Sequence, residues 1–167
     1  MIALKKILVA TDFSELSDAA LAYGRELARS FGAQLVVLHV AENTVTRVVG
    51  GDGFVFTDPG LQATVEAEGK RRVDELISDE DRMLLRAQGV IITSNAPAFA
   101  IVEHAKSTDV NLIVIGTHGR GGMAHLLLGS VAEHVVRIAP CPVLTVRHPE
   151  REFVLPDALV AVTRAAR

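Results

Sequence analysis

The chain has 167 residues, 49% hydrophobic and 22% charged, with a formal net charge of −3. That length suits one domain burying about two-thirds of its unfolded surface, and no apolar run approaches the roughly 18 residues a membrane span needs. The slightly acidic balance speaks against a nucleic-acid partner, which is gripped by a basic face. The single cysteine rules out an internal disulfide and, with no signal-peptide core in the opening residues, points to the cytoplasm.

Lys5 and Lys6 lead into Ile7-Leu8-Val9-Ala10, an unbroken apolar run of the kind buried on both faces of a parallel sheet. The run ends at Thr11-Asp12, and Ser14 is placed to cap a helix. Leu16, Ala20, Tyr23, Leu27 and Phe31 recur at three- and four-residue steps as that helix's expected inner stripe, and Gly32 stops it. Leu35 to Val40 reads as a second buried strand. Residues 41 to about 58 show no period. Phe54 and Phe56 lie there among glycines, where they either cover a pocket or pack on a neighbouring subunit.

Asp58-Pro59 opens a long helical stretch with Val65, Val73, Leu76, Leu84 and Ala87 expected inward, and Gly69 or Ser78 to Asp81 as candidate bends or breaks. Val90 to Thr93 follows as a third strand. A short helix from about Pro97 comes next, with Ala98, Ile101, Val102 and Ala105 inward, and then a fourth strand from Leu112 to Ile115. A helix with Val131, Val135 and Ile138 inward leads to Pro140-Cys141-Pro142. That segment forces an extended entry into a fifth strand, Val143 to Val146, which suits a sheet edge. Residues 1–147 thus read as one domain, and the tail 148–167 as a short helix lying on the edge strand or on a partner chain.

The fourth strand feeds Gly116-Thr117-His118-Gly119-Arg120-Gly121-Gly122, with Gly129-Ser130 beyond it and no acid between Gly116 and Gly129. Strand, glycine loop and helix in that order offer backbone N–H groups and a positive helix end to an anion. Ser130 and Glu133 carry the spacing of a capping box. The lack of a lysine closing the glycine run excludes the usual P-loop, leaving amides, the Ser130 hydroxyl and the Arg120 charge for a phosphate. Asp12, at another strand end, suits a ribose hydroxyl or a cation, or equally a turn or helix cap.

The spacing Gly-x2-Gly-x9-Gly-Ser, read as Gly116, Gly119, Gly129 and Ser130, resembles the nucleotide-binding signature of the universal stress proteins. Ile7 to Ser14 and Pro140 to Leu144 agree with it, and the likeness spans about residues 4 to 147. It implies an α/β fold, an open five-stranded parallel sheet with helices on both faces and strand order 3-2-1-4-5 (adenine nucleotide alpha hydrolase-like, Rossmann-like). Ligands in such sheets bind where the strand order reverses. The resemblance further implies an adenosine pocket at Ala10, Thr11, Asp12, His39 and Val40. It assigns phosphate contacts to Gly116, Gly119, Gly129, Ser130 and Val131, to which His118 and Arg120 add charge.

The ligand so implied is ATP, or ADP or AMP, with Mg²⁺ or Mn²⁺ arriving on the phosphates and Asp12 as the candidate protein contact. The implied protein is a small stress-response module that dimerises through Val143–Val146 and hydrolyses ATP slowly or not at all. Two other readings stay open: a phosphoryl- or adenylyl-transfer enzyme on the same fold, and a dimeric interaction protein that binds no nucleotide. No catalytic residue is legible. His118 and His125 lack the partners of a zinc site, and Cys141 reads as a small buried hydrophobe rather than a nucleophile.

Overall fold

The computed structural model describes residues 2–44, 59–117 and 129–147. The expectations for Phe54 and Phe56, for His118, Gly119, Arg120 and His125, and for the tail 148–167 lie outside these residues. Within them the order is β1 (Lys6–Thr11), α1 (Glu15–Phe31), β2 (Gln34–Ala41), α2 (Pro59–Leu76), α3 (Asp79–Leu85), β3 (Gln88–Thr93), α4 (Pro97–Ser107), β4 (Leu112–Gly116), α5 (Ser130–Ile138) and β5 (Val143–Val146). The strands form one five-stranded sheet in the order β3-β2-β1-β4-β5, every pair parallel.

Burial explains the sequence of the central strands. Ile7, Leu8 and Val9 of β1, and Leu35 to Leu38 of β2, are buried on both faces, because alternate side chains meet different helix layers. Ile7, Val9, Leu35, Val37 and Val114 pack with Ala20, Leu21 and Ala28 of α1 and with Val73 and Leu85 of α2 and α3. Leu8, Ala10, Leu38, Ile113 and Ile115 pack on the other face with Ala98, Ile101 and Ala105 of α4 and Ala132 and Val135 of α5.

Helix α1 begins as expected, its N-cap Ser14 accepting from the Ser17 amide, and ends at Gly32 with φ 62°. Its inner face differs from the expected stripe. Ser17, Ala20, Leu21, Gly24 and Ala28 are buried, whereas Leu16, Tyr23 and Leu27 are half-buried and Phe31 is exposed. The helix lies so close to the sheet that small residues take the contact and large ones flank it. A Cβ on Gly24 would fall 2.3 Å from Cγ2 of Val9.

The long helical stretch breaks at Ser78, which caps α3 in a capping box with Asp81. Leu84, expected inward, is exposed, while Ile77 and Leu85 are buried. Gly69 causes no break; it is buried in α2 against the ring of His39. In α5 the expected inward Val135 is buried and Val131 packs half-buried against the core, Ala132 joins them, and only Ile138, 40% exposed, falls outside the expected set. Strand β5 does form an edge, paired on one side with β4 from Ile113↔Val143 to Gly116↔Val146.

Candidate functional site

The sheet order brings the two polar strand ends together. β1 lies between β2 and β4, with Ala10 opposite Ile115 and Thr11 opposite His39. Adjacent strands run about 4.8 Å apart, so Asp12, His39-Val40 and Gly116-Thr117 share the carboxyl end of the sheet. The chain order reverses between β1 and β4, where a doubly wound sheet opens a crevice.

Asp12 is held in an Asx turn. Its Oδ1 accepts from the Ser14 amide at 3.1 Å and from the Ser14 hydroxyl at 2.6 Å. Thr11 is buried, and its hydroxyl lies 3.0 Å from that of Ser17 and accepts from the Phe13 amide at 3.0 Å. The Thr11 side chain therefore builds the β1–α1 turn, while its carbonyl lies 2.9 Å from Nδ1 of His39. The turn expected of Asp12 on one reading is present, and it orients the carboxylate at the strand end.

Gly116 is required by close approach. A Cβ there would sit 3.1 Å from the carbonyl oxygen of Leu16 and 3.3 Å from the Leu16 Cβ. Beyond it, the Thr117 amide donates to the Val146 carbonyl at 2.8 Å and the Thr117 carbonyl accepts from the Gly129 amide at 2.6 Å. Thr117 and Gly129 therefore close on one another at the end of β4. The Gly129 amide serves that closure.

The expected Ser130–Glu133 capping box does not form. Gly129 is itself the N-cap and supplies no side chain, Ser130 is the first helical residue, and the Glu133 amide donates to the Gly129 carbonyl at 2.9 Å. Glu133 pairs with Arg137 instead. Ser130 is exposed, and a helix start of this kind directs its first amides, those of Ser130, Val131 and Ala132, out of the helix with a partial positive charge. That positive end sits at the carboxyl end of β4, beside the strand that leads into Asp12.

Sequence reasoning missed two residues of this end. The Phe13 ring packs against that of His39 in a tilted arrangement, 41° between planes at a centroid distance of 4.3 Å, and the Arg72 guanidinium lies 4.0 Å over the Phe13 ring. The signal for Phe13 was its place directly after Asp12; nothing local tied Arg72, on α2, to the site. Among the described residues no three His, Cys, Asp or Glu side chains come together to hold a metal ion. Asp12 fits a cation carried by a ligand's phosphates rather than a resident one. Burial pushes the Cys141 thiol up from its ordinary value, against a smaller opposing effect of a backbone hydrogen bond with Ile113. That direction suits packing better than attack. No helix among the described residues is long and apolar enough to cross a membrane.

Comparison with known proteins follows the same outline. A family model described as the Universal stress protein family matches residues 3–147. The chain is 33% identical over 146 residues to Universal stress protein YxiE of Bacillus subtilis, covering 85% of this chain and 98% of that one. The structure of universal stress protein UspA from Lactobacillus plantarum superposes with a TM-score of 0.71 at 22% identity, covering 88% of this chain and all of that one. The universal stress protein of Archaeoglobus fulgidus in complex with dAMP gives 0.55 at 24% identity, over 87% and 99%. At these identities the two structures speak to the fold.

Proposed function

The chain belongs to the universal stress protein family, and on that premise we propose that it binds an adenine nucleotide in the crevice between β1 and β4, acting as a small cytoplasmic stress-response module. The observation that carries this reading is the meeting of the Asp12 turn with the uncapped start of α5 at the strand-order reversal. One strand end offers an acceptor for sugar hydroxyls, and the other offers donors for an anion. That dAMP is bound by a protein of the same fold supports the choice of ligand.

In this reading Ala10, Thr11, Asp12, His39 and Val40 line the adenosine side. The Ser130 hydroxyl and the amides of Ser130 and Val131 meet the phosphates, together with Gly116, His118, Gly119 and Arg120, while the Gly129 amide, expected there too, stays on the Thr117 carbonyl. ATP, ADP and AMP all satisfy this chemistry, and Mg²⁺ or Mn²⁺ would come with the phosphates. These groups position and neutralise a nucleotide, and none of them is assigned as a base for activating water, so turnover should be slow or absent.

Equilibrium dialysis with ATP tests the proposal, with saturable uptake as the expected result. Asp12→Asn keeps an oxygen for the Ser14 turn but removes the charge, and Ser130→Ala removes a hydroxyl that caps nothing. Each should weaken binding roughly tenfold, as losing one charge-assisted hydrogen bond does. Absence of uptake by the unaltered protein would end the nucleotide reading.

A further inference from the structure

Among the described residues three non-glycine positions adopt a left-handed backbone: Phe13 at φ 64°, Arg86 and Asp109. Arg86 closes a helix and Asp109 lies in a turn, common places for it. Phe13 is the unusual one, since an aromatic residue meets a steric cost there. Such a conformation persists when its surroundings hold it.

The holding contacts are identifiable. The Phe13 ring is contacted by the His39 ring and by the Arg72 guanidinium. His39 is fixed through Nδ1 to the Thr11 carbonyl and backed by Gly69, where a Cβ would come within 3.3 Å of its Cδ2. Gly69 and Arg72 are three residues apart and share one side of α2, so that helix closes on the ring pair. On the other side of Phe13 the Ser14 amide completes the turn on Asp12.

We propose that Phe13 and Arg72 are positioning residues for Asp12: α2 clamps residue 13 in its left-handed conformation, and that conformation presents the Asp12 carboxylate at the mouth between β1 and β4. The consequence for affinity rests on the nucleotide reading; the geometry does not. Helix α2, which contributes no ligand contact in that reading, then sets how tightly the crevice binds, and whatever displaces α2 loosens the site.

Amide exchange by NMR on the ligand-free full chain, paired with dialysis against ATP, provides the test. Arg72→Leu should speed exchange at Ser14 roughly fivefold and weaken ATP binding by a similar factor, the size of one cation–π contact. The amides deeper in α1 should be unaffected. Phe13→Gly, which accepts positive φ freely but leaves the clamp empty, should do so on the order of tenfold. Arg72→Lys should restore most of the effect and Phe13→Tyr all of it. Unchanged Ser14 exchange in both disruptive variants overturns the proposal. A uniform rise along α1, or faster Ser14 exchange with unaltered ATP affinity, overturns it too. If the unaltered protein takes up no ATP, the nucleotide reading fails by itself, and Ser14 exchange still decides the positioning role.

Discussion

Gly24 sets two effects of known size against each other. In a helix interior, Gly→Ala gains about 1 kcal/mol from backbone entropy. Here the new Cβ would lie 2.3 Å from Cγ2 of Val9, a fully buried residue whose branched side chain has little rotamer freedom. Overpacking costs about 1–3 kcal/mol, so Gly24→Ala should lower stability by about 1 kcal/mol net, read as a lower urea midpoint at unchanged slope. A raised midpoint would mean that α1 does not sit as close to β1 as described. This contact was not legible beforehand, because periodicity highlights large apolar residues. Leu16, Ala20, Tyr23, Leu27 and Phe31 drew the stripe; of these only Ala20 is among the buried residues of α1, which are Ser17, Ala20, Leu21, Gly24 and Ala28. Gly116 was singled out as a bare amide for a ligand; the structure also gives it a packing reason, the Leu16 carbonyl.

At the scale of elements, the junction of α2 and α3 depends on Asp81. Its carboxylate is 2% exposed and accepts from Arg25 of α1 at 2.9 Å and from the Ser78 amide at 3.2 Å. Arg25 also donates to the Leu76 carbonyl at the end of α2. One acid thus caps a helix and ties two neighbours to it. Ser78→Ala removes a single capping acceptor and should cost about 1 kcal/mol. Asp81→Ala also strips Arg25 of its carboxylate partner, leaving it the Leu76 carbonyl. Removing one side of a buried pair costs about 3–5 kcal/mol, but Arg25 is 26% exposed and regains water, so about 2–3 kcal/mol is expected. Chemical denaturation of the two variants should rank them in that order; equal losses would show that the Arg25 bridge contributes nothing. The break at Ser78 was legible in its polar run. The start of α5 was misread by one residue, because a Ser-x-x-Glu spacing cannot reveal that the Glu133 amide is taken by the Gly129 carbonyl, which makes the glycine the cap.

For the whole molecule, strand–helix alternation made the layered sheet legible, and family resemblance supplied its order, since adjacency of β1 and β4 joins residues about a hundred positions apart and leaves no local signal. Among the described residues that order leaves the outer side of β5 without a strand neighbour. The Pro142 and Val146 carbonyls accept from the Ile113 and Thr117 amides of β4. By the two-residue alternation of a strand, the backbone groups of Val143 and Thr145 therefore point away from the sheet. Such an edge invites pairing with another chain. Half-buried Val143 and Leu144 on the strand, and Val136 and Ile138, 47% and 40% exposed on α5, supply apolar surface for it. A two-fold axis across β5 would join two copies antiparallel, each presenting the same residues to the other. Light scattering at tens of micromolar should then give twice the chain mass. Thr145→Pro deletes an outward amide while sparing every β4–β5 hydrogen bond, so it should yield a folded monomer with unchanged circular dichroism. A dimer that survives Thr145→Pro would place the interface elsewhere, and a monomer in the unaltered protein would show that the edge stays unpaired in solution.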